Sequence, residues 1–145
     1  VGYSIREVDG CDGWVAADLL LLHDLTFGDQ APPIDPEEGF WWLAHPLGKL
    51  EPVAFAGVYE SPMFPGCGYF HRVGVLPEHR GAGLQLRLMR AMESLARRQG
   101  WIGIVSDTTN DNVASANNFI KAGYRQFWPD QRWSFAHSIY WRKKL

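Results

Sequence analysis

The residues best suited to chemistry lie together between Tyr69 and Met92, in the stretch YFHRVGVLPEHRGAGLQLRLMRAM. Tyr69 to Val75 alternates and predicts a strand, and Leu76-Pro77-Glu78 predicts a turn. Arg80-Gly81-Ala82-Gly83 then leads through Leu84 and Gln85 into an amphipathic helix. A strand, a glycine-rich turn and a helix start make an anion cradle. Unpaired N–H groups converge, the helix dipole adds partial positive charge, and glycines let a phosphate approach the backbone. Two glycines near an arginine are common in loops, so the weight rests on their place between a strand and a helix.

A cradle of this kind needs a sheet behind it, and the rest of the chain supplies one. Tyr3 to Val8 alternates and predicts a first strand. Asp12 is an N-cap for a helix from about Gly13 to Phe27, with Trp14, Ala17, Leu21 and Leu25 along its covered side and Leu20 and Leu22 widening it. Gly28 to Gly39 is rich in Pro, Asp and Glu and reads as a long loop, of the sort that carries function. Strands follow at Phe40 to His45 and Pro52 to Tyr59, joined around Gly48. The helix after the cradle, Gly81 to about Arg98, carries Leu84, Leu88, Ala91, Met92 and Leu95 on one stripe. Arg87, Arg90, Ser94, Arg97 and Arg98 lie opposite.

Ile102 to Ser106 has the short apolar run of a buried central strand. Asn112 to Ala122 predicts a helix closed by Gly123, and Tyr124 to Trp128 with Trp133 to Trp141 predicts a hairpin around Pro129. The order β-α-loop-β-β-β-α-β-α-β-β specifies an α/β (α+β) fold, a mixed sheet of about seven strands with helices on both faces, in a single domain over residues 1–145.

Composition narrows the function classes. At 145 residues and 16.4 kDa the chain is large enough for one real core. A net charge of −2 argues against a general nucleic-acid or anionic-membrane binder. No apolar run reaches the length of a bilayer span, and the sequence shows no signal-peptide pattern. Cys11 and Cys67 stand far apart and outside any metal-ligand spacing, so they read as reduced, packed thiols of a cytoplasmic protein with no metal site. Aromatic content of 14%, with seven Trp, exceeds what a core of this size needs and leaves rings for a pocket.

Two blocks carry a family resemblance. Val73-Gly74-Val75-Leu76-Pro77-Glu78-His79-Arg80-Gly81-Ala82-Gly83 resembles the fourth strand and the Arg/Gln-x-x-Gly-x-Gly/Ala acetyl-CoA loop of the GNAT N-acetyltransferase superfamily. Asn112-Val113-Ala114-Ser115-Ala116-Asn117-Asn118-Phe119-Ile120-Lys121-Ala122-Gly123-Tyr124 resembles its Asn-x-x-Ala/Ser helix ending in Gly-Phe/Tyr. The resemblance implies a mostly antiparallel sheet splayed between its fourth and fifth strands. It implies acetyl transfer from acetyl-CoA, as co-substrate, to a primary amine by direct attack in a ternary complex. The amides of Arg80, Gly81, Ala82, Gly83, Leu84 and Gln85 would hold the pyrophosphate. Backbone groups of Val73 and Val75 would hold the pantetheine arm and the thioester oxygen, and Asn112, Ser115 and Phe119 would border the cofactor.

The chain departs from the family pattern twice. Gln85 stands where Gly or Ala is usual, and would either crowd the pyrophosphate or bond to it. Phe119 stands where the family often has a tyrosine acid, which excludes tyrosine-acid chemistry there; a thiolate with an ordinary pKa of about 8.5 needs little such help.

An alkylamine with a pKa of about 10.4 is mostly protonated at pH 7, so a proton acceptor is expected. The family's strand-four carboxylate falls on Tyr69, and His71, on the same strand face, is the leading candidate, with Glu60 a weaker one. Asp29, Asp35, Glu37 and Glu38 in the long loop are either a lure for a cationic amine or a solvated acidic loop. Alternation puts Trp41 and Trp42 on opposite faces, so at most one of them joins Tyr59 at an acceptor pocket.

The arginine row, interrupted by Glu93, reads as a solvated helix face rather than a nucleic-acid patch. The acceptor is a small-molecule or peptide amine, and the Trp-rich terminal hairpin is a natural contact for a homodimer. Two alternatives differ in kind: a CoA-binding regulatory protein with little turnover, for which Gln85 and Phe119 speak, and an acetyltransferase that docks a macromolecule on the arginine row.

Overall fold

A computed structural model describes residues 2–145. Seven strands form one mixed sheet: β1 (Tyr3–Val8), β2 (Phe40–Pro46), β3 (Ala54–Glu60), β4 (Cys67–Val75), β5 (Gly103–Thr109), β6 (Arg125–Phe127) and β7 (Ser138–Lys144). Their order across the sheet is β1-β2-β3-β4-β5-β7-β6. Every neighbouring pair is antiparallel except β4–β5, which is parallel. Three helices flank it: α1 (Gly13–Phe27), α2 (Leu84–Arg98) and α3 (Val113–Lys121).

α1 covers one face, where Leu19 and Leu22 pack with Ile34, Trp41, Leu43 and Phe55. The larger core lies on the other face, where Leu84, Leu88, Met89, Met92 and Leu95 of α2 and Phe119 of α3 meet Trp42, Phe70, Ile104 and Trp141. Trp41 and Trp42 thus do point to opposite faces, and both are buried.

α1 begins where expected, with Asp12 Oδ1 accepting from the N–H groups of Trp14 and Val15. Its covered side is not the expected one. Leu19, Leu22 and His23 are buried, whereas Trp14, Leu20, Leu21 and Leu25 are exposed. The helix is apolar nearly all round, so the 3.6-residue period selects no face. Contacts with β4 select it instead. A Cβ on Gly74 would lie 2.6 Å from both Thr26 Oγ1 and Phe55 Cε1, so the missing side chain is what lets α1 sit down on the strand.

Two further boundaries moved. α2 starts at Leu84 rather than Gly81, because Gly81 and Gly83 take positive φ values of 83° and 77° that end the loop before the helix. The terminal strands are shorter than predicted and separated by the segment 128–137, in which the W-S-F alternation is not a strand. Trp133 turns back across the sheet from this segment, with its ring 4.5 Å from that of Tyr140 and 6.0 Å from that of Tyr69.

β4 contains the one irregularity that matters for the site. Its register against β3 shifts between Gly57 and Val58: Gly57 pairs with Arg72 and Val58 with Phe70, leaving His71 as an extra residue. A bulge reverses the side-chain alternation beyond it. His71 packs on Trp41, and Arg72 on Phe27 and His23, so two consecutive side chains face α1. Phe70, Val73 and Val75 face α2.

Candidate active site

β4 and β5 pair only from Cys67–Gly103 to Phe70–Ser106. Ser106 Oγ donates to the Phe70 carbonyl at 2.7 Å, at the last rung before the strands part. Beyond it β4 keeps its bonds to β3 alone. Leu76 N–H donates to the Val53 carbonyl at 2.9 Å, and bonded pairs alternate along an antiparallel ladder. Phe55–Gly74 is therefore the next bonded pair, while Val73 and Val75 turn their N–H and C=O groups toward the open side. The Val75 carbonyl accepts there from Arg80 Nε at 3.2 Å.

The glycine turn lies at one end of this opening. Gly81 and Gly83 would meet nothing within 4 Å if given a Cβ, so backbone conformation rather than space calls for glycine. The first turn of α2 has no capping side chain and no acidic residue. Its N–H groups face a cavity of about 670 Å³ lined by Val73, Val75, Arg80, Gly81, Gly83 and Gln85, with Asn112, Ser115 and Lys121 on the α3 side. That lining suits a polyanion.

Gln85 lines this cavity and spends its amide on α3. Its Nε2 donates to Ser115 Oγ and its Oε1 accepts from Asn118 Nδ2, both at 3.0 Å. The long side chain is a clasp between α2 and α3. Asn112 caps α3, its Oδ1 accepting from Ser115 N–H at 3.2 Å. Phe119 is buried, stacked on Trp141 and edge-on to Tyr124.

A second cavity of about 610 Å³ adjoins the first and shares Val73, Asn112 and Ser115 with it. Tyr69, His71, Arg72, Asp107, Phe119 and Trp133 line its other walls. The Tyr69 hydroxyl donates to Asp107 Oδ2 at 2.5 Å, and Trp133 Nε1 donates to the same oxygen at 2.7 Å. Burial first and then the Asp107 carboxylate push the Tyr69 phenol far above its ordinary value, so it remains a donor.

His71 is packed rather than poised. Its ring lies 5.1 Å from that of Trp41 and 4.5 Å from that of Tyr59, over the gap left by Gly57. Burial and then the neighbouring Arg72 guanidinium pull it down to about 3, and its Nδ1 is buried without a hydrogen-bond partner. A neutral imidazole with so little basicity is a poor acceptor for an ammonium proton.

A third cavity, about 410 Å³, continues outward along Tyr59, Tyr69, Arg72 and Trp133 to Asp35 and Glu38. Of the four loop carboxylates, those two border it. Glu60 is exposed at the end of β3, away from the lining of all three cavities.

The arginine row is engaged with β1: Arg98 pairs with Glu7 at 3.0 Å, and Arg87 donates to the Tyr3 carbonyl. Glu93 does not interrupt the row. It points inward, is 4% exposed, and pairs with Lys143. Cys67 is partly covered, but Cys11 is exposed rather than packed, and both are free thiols. Among the described residues no helix is long and apolar enough to cross a membrane, and no cluster of His, Cys, Asp and Glu could hold a metal ion.

Asp107, Arg72 and Trp133 are the site residues that sequence reasoning missed. Asp107 had a readable signal: it is the first ionisable side chain after the apolar run of a buried strand, and ligands of open α/β sheets bind at such strand ends. Arg72 had only a charge out of phase with its strand, and Trp133 had none.

Comparison with known proteins agrees with this geometry. A family model described as "Acetyltransferase (GNAT) family" matches residues 13–124. A "Probable N-acetyltransferase HLS1-like" protein of Arabidopsis thaliana is 35% identical over 71 residues, covering 48% of this chain and 17% of its own length. The chain thus spans about a sixth of that relative. Among solved structures, a NatC complex bound to Gag peptide and CoA superposes with a TM-score of 0.80 at 16% identity, covering all of this chain and 99% of that one. The yncA protein of Salmonella typhimurium, solved with its cofactor acetyl-CoA, gives 0.70 at 18% identity over 99% and 94% of the two chains. At those identities the structures speak for the fold.

Proposed function

The chain belongs to the acetyltransferase (GNAT) family, and from that premise we propose that it transfers acetyl from acetyl-CoA to a primary amine of a small molecule or peptide by direct attack. The observation that carries this reading is the parting of β4 and β5 above Phe70–Ser106, which leaves Val73 and Val75 backbone groups facing a gap between two adjoining cavities. One cavity has the lining for a pyrophosphate. The other is lined by both Val73 and the Asp107 carboxylate.

Acetyl-CoA supplies an activated carbonyl with a thiolate leaving group. The Val73 N–H is the donor for the thioester oxygen as it takes up negative charge, and the loop from Arg80 to Gln85 anchors the diphosphate. The amine nitrogen forms a C–N bond to the acetyl carbon as the C–S bond breaks, and CoA leaves as thiolate. The amine proton passes to Asp107, directly or through a water. Tyr69 and Trp133 orient that carboxylate by occupying Oδ2, which leaves Oδ1 for the nitrogen. In this reading Tyr69 positions the proton acceptor and His71 only packs beside it.

Calorimetric titration with acetyl-CoA, followed by thiol release over a panel of amines, tests the proposal. Saturable binding with release for some amines is the expected result. Absence of acetyl-CoA binding overturns it, and binding with no release across the panel replaces it with the regulatory reading.

A further inference from the structure

We propose that the acceptor amine carries its own carboxylate, as amino acids do, with its anionic end received by Arg72 and its nitrogen by Asp107. The inference rests on the acetyl-transfer reading and names the substrate class that the same site would take.

Of the side chains lining the cavity beside Val73, two bear formal charges at neutral pH, one of each sign: Arg72 and Asp107. The remaining titratable groups there, His71 and Tyr69, are held neutral. Arg72 and Asp107 are not paired with each other. The two ion pairs among the described residues are Arg98–Glu7 and Lys143–Glu93. Arg72 donates instead to three uncharged acceptors: Nε to His23 Nε2 at 3.2 Å, Nη1 to the His71 carbonyl at 2.8 Å, and Nη2 to the Pro32 carbonyl at 2.9 Å. A guanidinium has five N–H donors, so two are unspent. Asp107 likewise accepts from a phenol and an indole and meets no cation.

A half-buried guanidinium whose partners are all neutral is an anion receptor fixed in place. The bulge at His71 puts it there: with regular alternation, Arg72 would face α2 and the apolar core. The complementary ligand of a cavity with one fixed cation and one fixed anion is a zwitterion. A polyamine would bring a second cation up to Arg72, and a simple alkylamine would leave the guanidinium unanswered. Asp35 and Glu38 lie in the next cavity outward, are exposed, and do not neutralise Arg72.

The test is acetyl-CoA-dependent thiol release with matched sets: an amino acid, its carboxamide and its decarboxylated amine, with rates referred to the free-amine fraction. For at least one set the amino acid should be preferred in kcat/KM by about tenfold or more, the scale on which an unanswered buried charge discriminates. Arg72→Gln should collapse that preference through the acceptor KM while leaving the KM for acetyl-CoA in place, and Arg72→Lys should restore part of it. The inference is overturned if carboxamides or decarboxylated amines are used as well as the amino acids, or if Arg72→Gln keeps the preference. Those outcomes leave the acetyl-transfer reading intact. Release from no amine of any class overturns both.

Discussion

The Tyr69 hydroxyl and Asp107 Oδ2, 38 residues apart in sequence, meet at 2.5 Å just above the point where β4 and β5 cease to pair. This side-chain bond runs from the last paired stretch of β4 to the first residue of β5 beyond the pairing, and it fixes a carboxylate at the mouth of the gap. Asp107→Asn keeps the shape and the two incoming hydrogen bonds but removes the proposed proton acceptor. We expect kcat to fall by roughly 10²-fold or more, with little change in acetyl-CoA affinity. Steady-state kinetics alongside calorimetry checks this, and an unimpaired Asp107→Asn enzyme would remove Asp107 from the mechanism.

The clasp between α2 and α3 gives a stability prediction separate from catalysis. Gln85→Ala loses bonds to Ser115 and Asn118, each worth about 0.5–1.5 kcal/mol net, so a loss of about 1–3 kcal/mol is expected. Urea unfolding measures it. Acetyl-CoA should still bind, because the side chain that is removed is committed to α3.

His71 makes stability depend on pH in one direction. Folded, it sits at about 3, against an ordinary value of 6.5, so the unfolded chain takes up a proton first as the pH falls. Stability from this group is complete above about pH 6.5 and is lost as pH drops toward 3, at up to about 1.4 kcal/mol per pH unit. His23, also lowered by burial and then by Arg72, acts in the same sense. Urea midpoints measured between neutral pH and pH 4 should show the slope, and His71→Gln should flatten it.

Gly74 tests how tightly α1 is seated. Gly74→Ala puts a methyl carbon 2.6 Å from Thr26 on one side and Phe55 on the other, an overpacking that should cost about 1–3 kcal/mol. Thermal unfolding would register it. A neutral substitution would mean that α1 rides farther from β4 than the structure places it.

Sequence patterning reached the parts of this molecule that local periodicity controls. The α2 stripe from Leu84 to Leu95 was legible because polar and apolar residues separate cleanly around that helix. α1 was legible as a helix but not in orientation, since apolar residues surround it and Gly74, distant in sequence, decides which side goes down. The glycine turn was legible because its φ requirement is local. Asp107 joins Tyr69 only through the register of β4 on β5, and Arg72 turns toward α1 only through a bulge against β3. Such non-local pairings leave no period in the chain. Glu93 shows the converse failure: a charge assigned to the solvated face goes inward because Lys143, from the last strand, is there to meet it.

The extra residue in β4 divides the strand into two halves of opposite phase. Tyr69 and His71, odd-numbered, face the acceptor cavity and Phe70 the α2 core; from Arg72 onward the parity is exchanged. Variation at Tyr69 or Arg72 can therefore retune what enters from the α1 side without altering the floor under Val73 and Val75. Deleting His71 would restore a regular ladder, with Arg72 directly after Phe70 and still facing α1 opposite Gly57. The inserted residue thus gives the α1 side one more side chain than a regular strand would, so that in the proposed reaction acceptor choice can vary apart from donor binding.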